Sequence, residues 1–193
     1  MSRRRGVRRA LAGLGVLAAL SACTPGKDEP PVPPPASSAA ALPDCVPGRA
    51  ATGADPLPDL SLPCLSGSGT VALRSLAGAP AVVNLWASWC APCRQELPAF
   101  SRLSADAGDR LRVLGVASQD KPDSAASYAA DAGLPFPSLL DRDGDLLRGL
   151  GRKLLPATVL VDATGRVREV YQGPPLADAT LRALVRDRLG VDV

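Results

Sequence analysis

The sequence predicts an α/β domain in which a central mixed sheet is flanked by helices and carries an added N-terminal β-hairpin. Strand-like and helix-like segments alternate from residue 81 onward, and an order of this kind predicts right-handed crossovers and parallel pairing. A tight turn at 162–165 joins two strand-like segments, which predicts one antiparallel pair as well. Aromatic residues make up only 3% of the chain, so the core is expected to consist mainly of Leu, Val and Ala.

The first half of the domain supplies the hairpin and two strand-helix units. The hairpin is expected from two short apolar runs on either side of a Ser-Gly-Ser-Gly turn. The uninterrupted apolar run Ala-Val-Val-Asn-Leu-Trp is typical of a strand that is buried on both faces. In order, the predicted elements are hairpin strands at 57–65 and 70–73, a strand at 81–86, a helix at 91–107, a strand at 111–117 and a helix at 124–132.

The second half supplies three further strands and two helices. Strands are expected at 136–140, 157–161 and 167–171, with a short helix at 145–150. The last helix is expected at 176–189, because Leu181, Leu184 and Val185 are spaced to share one helical face and Gly190 is a typical residue just beyond a helix end.

Composition excludes several functions. The chain contains no histidine, which rules out a Ser-His-Asp triad, a Cys-His protease and His-ligated zinc. Five of the 22 Lys and Arg residues precede residue 23, whereas all 19 Asp and Glu residues follow it. The remainder is therefore weakly acidic, and nucleic-acid binding is not expected, because it requires clustered basic residues.

The N-terminus has the pattern of an exported lipoprotein. Residues 1–22 combine an arginine cluster with an apolar run that is too short to span a bilayer, which is typical of a secretory signal peptide. The run ends in Leu-Ser-Ala-Cys and resembles the bacterial lipoprotein box, so Cys23 is expected to be lipidated. The alternative is an ordinary cleaved signal followed by an unmodified cysteine.

A tether is expected between the anchor and the domain. Residues 23–43 are rich in Pro and Ala and lack apolar periodicity, so they cannot bury enough surface to fold. Polyproline conformation at about 3.1 Å per residue would let such a segment hold the domain up to about 60 Å from the membrane. The predicted organisation is a signal peptide at 1–22, a lipid-anchored tether at 23–43 and a folded domain at 44–193.

The chemistry is expected at a Cys-x-x-Cys pair, Cys90 and Cys93, which lies where a strand passes into a helix. Unpaired N–H groups and the helix dipole at a first turn favour thiolate over thiol, so Cys90 is the expected nucleophile. Cys93 lies less than one turn away and can resolve a mixed disulfide. The alternatives are half of a zinc site completed by Cys45 and Cys64, or a purely structural disulfide.

The motif around this pair, Val-Val-Asn-Leu-Trp-Ala-Ser-Trp-Cys-Ala-Pro-Cys-Arg-Gln-Glu-Leu-Pro at residues 82–98, resembles the TlpA/ResA branch of the thioredoxin superfamily. The resemblance covers about residues 57–189. It implies a thioredoxin fold and a reversible dithiol-disulfide cycle at Cys90 and Cys93, with no cofactor and no metal. It also implies that Pro156 is a cis-proline facing the cysteines, and that Leu155 offers its backbone to a substrate.

Three more residues are interpreted through the same resemblance. Glu96 matches a glutamate of this branch and is a possible proton relay, with a solvated helix residue as the alternative. Asn84 departs from thioredoxin, where an aspartate occupies that place, because an amide cannot act as a base. Trp89, just before the nucleophile, is expected to shield the disulfide and contact substrate, whereas Trp86 is expected in the core.

Two cysteines remain after these assignments. Cys45 and Cys64 form an even remainder, which suggests a structural disulfide in an oxidising compartment. Such a bridge would close a loop of about 20 residues and contribute about 3 kcal/mol by loop entropy. Two free thiols, or redox partners of Cys90, are the alternatives.

The function expected from these features is that of an extracytoplasmic disulfide reductase, anchored by its lipid to the cell membrane. Its implied partners are protein thiols such as those of apocytochrome c, and a membrane electron carrier. An oxidant that installs disulfides in secreted proteins is the main alternative, because the motif does not fix the potential. A metal-delivery lipoprotein and a peroxidase are less favoured, because their usual cysteine spacing and neighbouring residues are missing.

Overall fold

The computed structural model describes Pro43, Cys45 and residues 49–193. The expected signal peptide, Cys23 and nearly all of the tether lie outside the described residues. Within the described part of the chain, no helix has both the length and the apolar character needed to cross a membrane.

The described chain forms a two-stranded hairpin, a five-stranded mixed sheet and four α-helices. The strands are β1 (Ser61–Pro63), β2 (Thr70–Ala72), β3 (Ala81–Trp86), β4 (Arg112–Ser118), β5 (Ser138–Asp141), β6 (Ala157–Val161) and β7 (Val167–Tyr171). The helices are α1 (Ala91–Ala107), α2 (Pro122–Asp131), α3 (Asp145–Gly149) and α4 (Asp178–Leu189). The strand order in the large sheet is β5-β4-β3-β6-β7.

The central strand β3 explains why the sheet is mixed. It pairs in parallel with β4, through the helical crossover of α1, and antiparallel with β6. The last pair, β6 and β7, is the antiparallel hairpin expected from the turn at 162–165. All six residues of β3 are buried, as its continuous apolar sequence predicts for a strand covered on both faces.

Each face of the sheet carries its own apolar core. On one face, Val82 and Trp86 of β3 pack with buried residues of α1, α2 and α4. On the other face, Val83 and Leu85 pack with the β1-β2 hairpin and with α3. The alternation follows from the period of two along a strand, and it places the hairpin and α1 on opposite faces.

The predicted elements agree with the structure, with small shifts at their ends. The hairpin strands contain only three residues each, and proline at both 58 and 63 removes backbone donors that longer pairing would need. Helix α4 begins at Asp178 rather than at 176. Leu176 lies before the helix, where its N–H donates to the carboxylate of Glu96.

Candidate redox site

The cysteine pair lies at the start of α1. Cys90 is the N-cap residue, with extended backbone at φ −83° and ψ 99°, and its Sγ accepts the Cys93 N–H at 3.3 Å. The two cysteines form a disulfide with their Cα atoms 5.3 Å apart, and both are buried. After reduction, the Cys90 sulfur would lie at the end of α1 where the unpaired N–H groups and the helix dipole favour a thiolate.

The segment before β6 reaches the same edge of the sheet. Because Leu85 pairs with Ala157 in antiparallel register, the residues that follow β3 and those that precede β6 lie side by side. The Leu155–Pro156 peptide bond is cis. Leu155 packs against the apolar cores on both faces of the sheet, one of which contains Cys90 and Cys93.

Glu96 lies inside the protein, one turn of α1 beyond Cys93, and only 1% of its surface is exposed. Its Oε1 accepts a hydrogen bond from Asn84 Nδ2 at 2.7 Å, and its Oε2 accepts the Leu176 N–H at 2.9 Å. Burial raises the pKa of this carboxyl above its ordinary value of 4.5, although the two hydrogen bonds act in the opposite direction. The burial rules out the solvated helix glutamate considered from sequence.

Asn84 connects this carboxyl to the sheet. It is fully buried in β3, and its Nδ2 lies 3.5 Å from the Thr158 hydroxyl of β6 as well as near Glu96. Its Oδ1 has no hydrogen-bond partner among the described residues. In this orientation the amide donates to the Glu96 carboxylate, while its oxygen remains an unused acceptor.

The two tryptophans of the motif have different environments. Trp89 is 59% exposed, and its Nε1 donates to the Gln119 carbonyl oxygen at 3.0 Å. Trp86 is completely buried, with its ring centroid 5.7 Å from that of Tyr128. Trp89 therefore presents an apolar surface to solvent directly beside the nucleophile, whereas Trp86 belongs to the core.

Cys45 and Cys64 form a second disulfide, away from the redox pair. Their Cα atoms are 5.9 Å apart, and both side chains pack against the core on the hairpin face of the sheet. Cys90 and Cys93 belong to the core on the opposite face. No group of three or more potential metal ligands occurs in the part of the chain that the structure describes, so the described residues do not assemble the four-cysteine zinc site considered from sequence.

Sequence reasoning missed several residues around the pair. Leu154 has an exposed side chain (70%) directly before Leu155. Asp120 is a buried carboxylate that bonds to Ser88, two residues before Cys90. Leu176 supplies a backbone donor to Glu96. The short polar loop at 119–121 is expected from sequence to be solvated, and nothing in its local pattern indicates that it contacts a segment 32 positions earlier.

A Cys-x-x-Cys disulfide at the first turn of a helix, together with a cis-proline before the neighbouring antiparallel strand of a mixed sheet of this order, defines a thioredoxin-superfamily protein of the thiol-disulfide oxidoreductase class. The Redoxin family matches residues 52–185, and the chain belongs to that family. This confirms that the chain is a thioredoxin-superfamily thiol-disulfide oxidoreductase, as the resemblance to the TlpA/ResA branch implied, and it confirms the expected thioredoxin fold.

Curated relatives carry names from the same class. The chain is 35% identical over 119 residues to the thiol:disulfide interchange protein DsbE of Pseudomonas fluorescens biotype C, covering 61% of this chain and 65% of the relative. It is 34% identical over 119 residues to the thioredoxin-like protein YneN of Bacillus subtilis, covering 60% and 69%. The chain thus spans about two thirds of the length of these relatives.

A solved structure supports the fold. A secreted Mycobacterium tuberculosis disulfide oxidoreductase, described as homologous to DsbE of E. coli, is similar with a TM-score of 0.60 and 26% sequence identity. The similarity covers 67% of this chain and 96% of that one. It therefore includes nearly the whole of the solved protein.

Proposed function

We propose that the chain is an extracytoplasmic thiol-disulfide oxidoreductase that uses Cys90 and Cys93 as a disulfide reductase of exported or membrane proteins. The observation that carries the proposal is the disulfide at the N-cap of α1, packed in one core with the residue that precedes Pro156. A thiolate at that helix end is stabilised, and the neighbouring backbone can receive an extended substrate.

The reaction proceeds by two exchanges. In the reduced protein, the Cys90 thiolate attacks one sulfur of a substrate disulfide, forming a mixed disulfide and releasing the other substrate sulfur as a thiolate. Cys93 then loses its proton and attacks the Cys90 sulfur, which releases the second substrate sulfur. The substrate gains two electrons and two protons, while the protein is left with the disulfide that the structure contains.

Glu96 is proposed to exchange the proton of Cys93. It follows Cys93 by one helical turn, it is buried, and its raised pKa makes proton uptake possible closer to neutral pH. When Glu96 is protonated, rotation of the Asn84 amide would turn the unpartnered Oδ1 toward the new O–H donor. Asn84 thus supports either protonation state without acting as a base itself.

The substrate contacts are proposed at Trp89 and Leu155. Trp89 is exposed directly before the nucleophile and offers a flat apolar surface. Leu155 lies before Pro156, where an extended substrate segment could pair with its backbone. Leu154 is exposed at 70% beside them and extends this apolar surface.

The proposed location follows from the N-terminal sequence. Lipidation of Cys23 would fix the chain to the outer face of the cell membrane, with 23–43 as tether and 44–193 as the redox domain. From there it would reduce cysteines of substrates such as apocytochrome c, and a membrane electron carrier would restore its dithiol. Mass spectrometry of membrane-extracted protein tests the anchor, because an unmodified Cys23 contradicts it.

The reduction potential tests the direction of the reaction. The protein is equilibrated with glutathione mixtures, and the oxidation state of the Cys90 and Cys93 peptides is followed by mass spectrometry. A value near about −270 mV, as for thioredoxin, supports a reductase, whereas one near about −120 mV makes the protein an oxidant of exported proteins. Insulin reduction by the protein, lost in Cys90→Ser, tests exchange itself, and a Cys90→Ser variant with full activity would contradict the site.

A further inference from the structure

We propose that Asp120 and Gln119, in the loop between β4 and α2, form a clamp that positions Ser88 and Trp89 and thereby the thiol of Cys90. Three hydrogen bonds carry the proposal. The Ser88 N–H donates to Asp120 Oδ2 at 2.5 Å, and the Ser88 hydroxyl donates to Oδ1 at 3.0 Å. The Trp89 Nε1–H donates to the Gln119 carbonyl oxygen at 3.0 Å.

Asp120 is a carboxylate without a role in the proposed exchange reaction, and it is only 5% exposed. A buried carboxylate is costly unless donors surround it. Here it accepts both donors of Ser88 and also the Lys121 N–H at 2.8 Å. Two of these three hydrogen bonds come from Ser88, in the segment that leads into the redox pair. Removing the carboxylate would therefore leave the two Ser88 donors without their acceptor.

Gln119 is held in an uncommon backbone conformation that suits this role. Its φ is +57°, in the left-handed region that residues other than glycine seldom adopt. The Gln119 N–H is fixed by the Asp141 carbonyl oxygen at 2.9 Å. Gly144 makes room for it, because a Cβ at that position would lie 2.7 Å from Gln119 Cγ. The end of β5 and Gly144 therefore hold Gln119 in the conformation that the clamp requires.

The clamp acts on Cys90 through the chain. Ser88 and Trp89 immediately precede Cys90, whose sulfur faces the first-turn N–H groups of α1. Fixing the two preceding residues limits how far that sulfur can turn away from the helix end, and so maintains the stabilisation of its thiolate. The charged groups that line one cavity with Ser88 and Trp89 are Asp120, Lys121, Arg142 and Asp143. The elements around this segment also carry Arg94 and Glu96 in the first half of α1, Asp141 at the end of β5, and Arg152 and Lys153 before β6.

The test compares serine variants of the full chain. Reduced protein is alkylated with iodoacetamide between pH 5 and 9, and modification of the Cys90 peptide is quantified by mass spectrometry. Ser88→Ala is expected to shift the profile to higher pH and to slow alkylation at pH 7 about threefold, which corresponds to about half a pKa unit. Ser88→Thr keeps the hydroxyl and should restore the wild-type profile. Ser124→Ala, which changes an exposed serine beside the same loop, should leave it unchanged.

A double-variant cycle separates positioning from a simple charge effect. In an Asp120→Ala background, Ser88→Ala should cause no further shift, because its acceptor is already gone. If Asp120→Ala does not fold, as circular dichroism would reveal, Asp120→Asn with one acceptor oxygen fewer replaces it, and the effect of Ser88→Ala should then be reduced. Equal shifts from Ser88→Ala in both backgrounds, or no shift in either, would overturn the proposal.

The inference rests on the proposed function only in taking Cys90 as the attacking thiol. The two can fail separately, because alkylation requires no substrate protein and no redox partner. If the wild-type protein does not exchange disulfides with glutathione or insulin, the proposed function fails. The Cys90 alkylation profile still decides whether the clamp positions the thiol.

Discussion

Replacing Glu96 with glutamine should change how the stability of the oxidised protein depends on pH. Burial raises the pKa of Glu96 in the folded protein above its ordinary value of 4.5. Between 4.5 and the raised value, the folded protein holds a proton that the unfolded chain has released. The unfolding free energy of the wild type therefore falls with rising pH across this window, by up to about 1.4 kcal/mol per pH unit for the one group.

The sign of this effect follows from the direction of the pKa shift. The contribution of Glu96 is fully present below pH 4.5 and is lost as the pH rises through the folded pKa. Glutamine cannot titrate, so the unfolding free energy of Glu96→Gln should not fall across this pH window. The glutamine amide offers a donor and an acceptor, as the protonated carboxyl of Glu96 does, so a rotated Asn84 amide and the Leu176 N–H can satisfy both groups at low pH.

Urea unfolding of the oxidised proteins between pH 4 and 9 checks the prediction. The variant should have nearly the stability of the wild type at pH 4, and it should become the more stable of the two as the pH rises. Glu169→Gln is the matched control, because Glu169 is a partly exposed carboxylate on β7 that pairs with Arg188 at 3.0 Å. A stability difference between Glu96→Gln and wild type that stays constant over this range would refute the argument that burial shifts the Glu96 pKa.

Three further changes have expected outcomes. Gly115→Ala would place a Cβ 2.4 Å from Ser138 Oγ, and it should lower the urea midpoint by the equivalent of about 1 to 3 kcal/mol. Adding Ser138→Ala should recover part of the lost stability, and no recovery would contradict the clash. The pKa of Asp178 is lowered from 3.8, mainly by its hydrogen bond to Arg182, so Asp178→Asn should cost less than about 1 kcal/mol at pH 7. The cost should shrink as the pH falls below 3.8 toward the lowered pKa, and thermal unfolding at pH 7 and pH 3 checks this. Replacing Cys45 and Cys64 with serine should cost about 3 kcal/mol in urea unfolding and leave the glutathione potential of the redox pair unchanged; a shifted potential would contradict a structural role.

The fold could be predicted almost completely because its signals are local. The apolar run of β3, the tight turn between β6 and β7 and the position of Gly190 after α4 each depend on neighbouring residues only. The boundaries that moved depend on contacts between distant segments. The surroundings of Leu176, just before α4, are the clearest example, because its N–H donates to a carboxylate 80 positions earlier in the chain. No periodicity within residues 176–189 could contain that information.

The site residues that lie within the motif at 82–98 could be predicted from the sequence, whereas those outside it could not. Cys90, Cys93 and Glu96 lie within one short segment, so their spacing on a helix follows from the sequence. Asp120 gives no such signal, because its contact with Ser88 depends on the parallel pairing of β3 with β4, which brings the ends of both strands to one edge. Only the topology reveals that a loop acid and a serine from another segment share a hydrogen-bonded site.

The two disulfides differ in the face of the sheet on which they lie, and this separates their roles. The bridge between Cys45 and Cys64 packs against the hairpin face and joins residue 45, close to the expected end of the tether, to the segment after β1. Cys90 and Cys93 belong to the opposite core, with β3 between. Exchange requires a thiolate to reach the sulfur it attacks, and the intervening sheet prevents this within one molecule. Reduction of the redox pair should therefore leave the other bridge intact throughout the cycle.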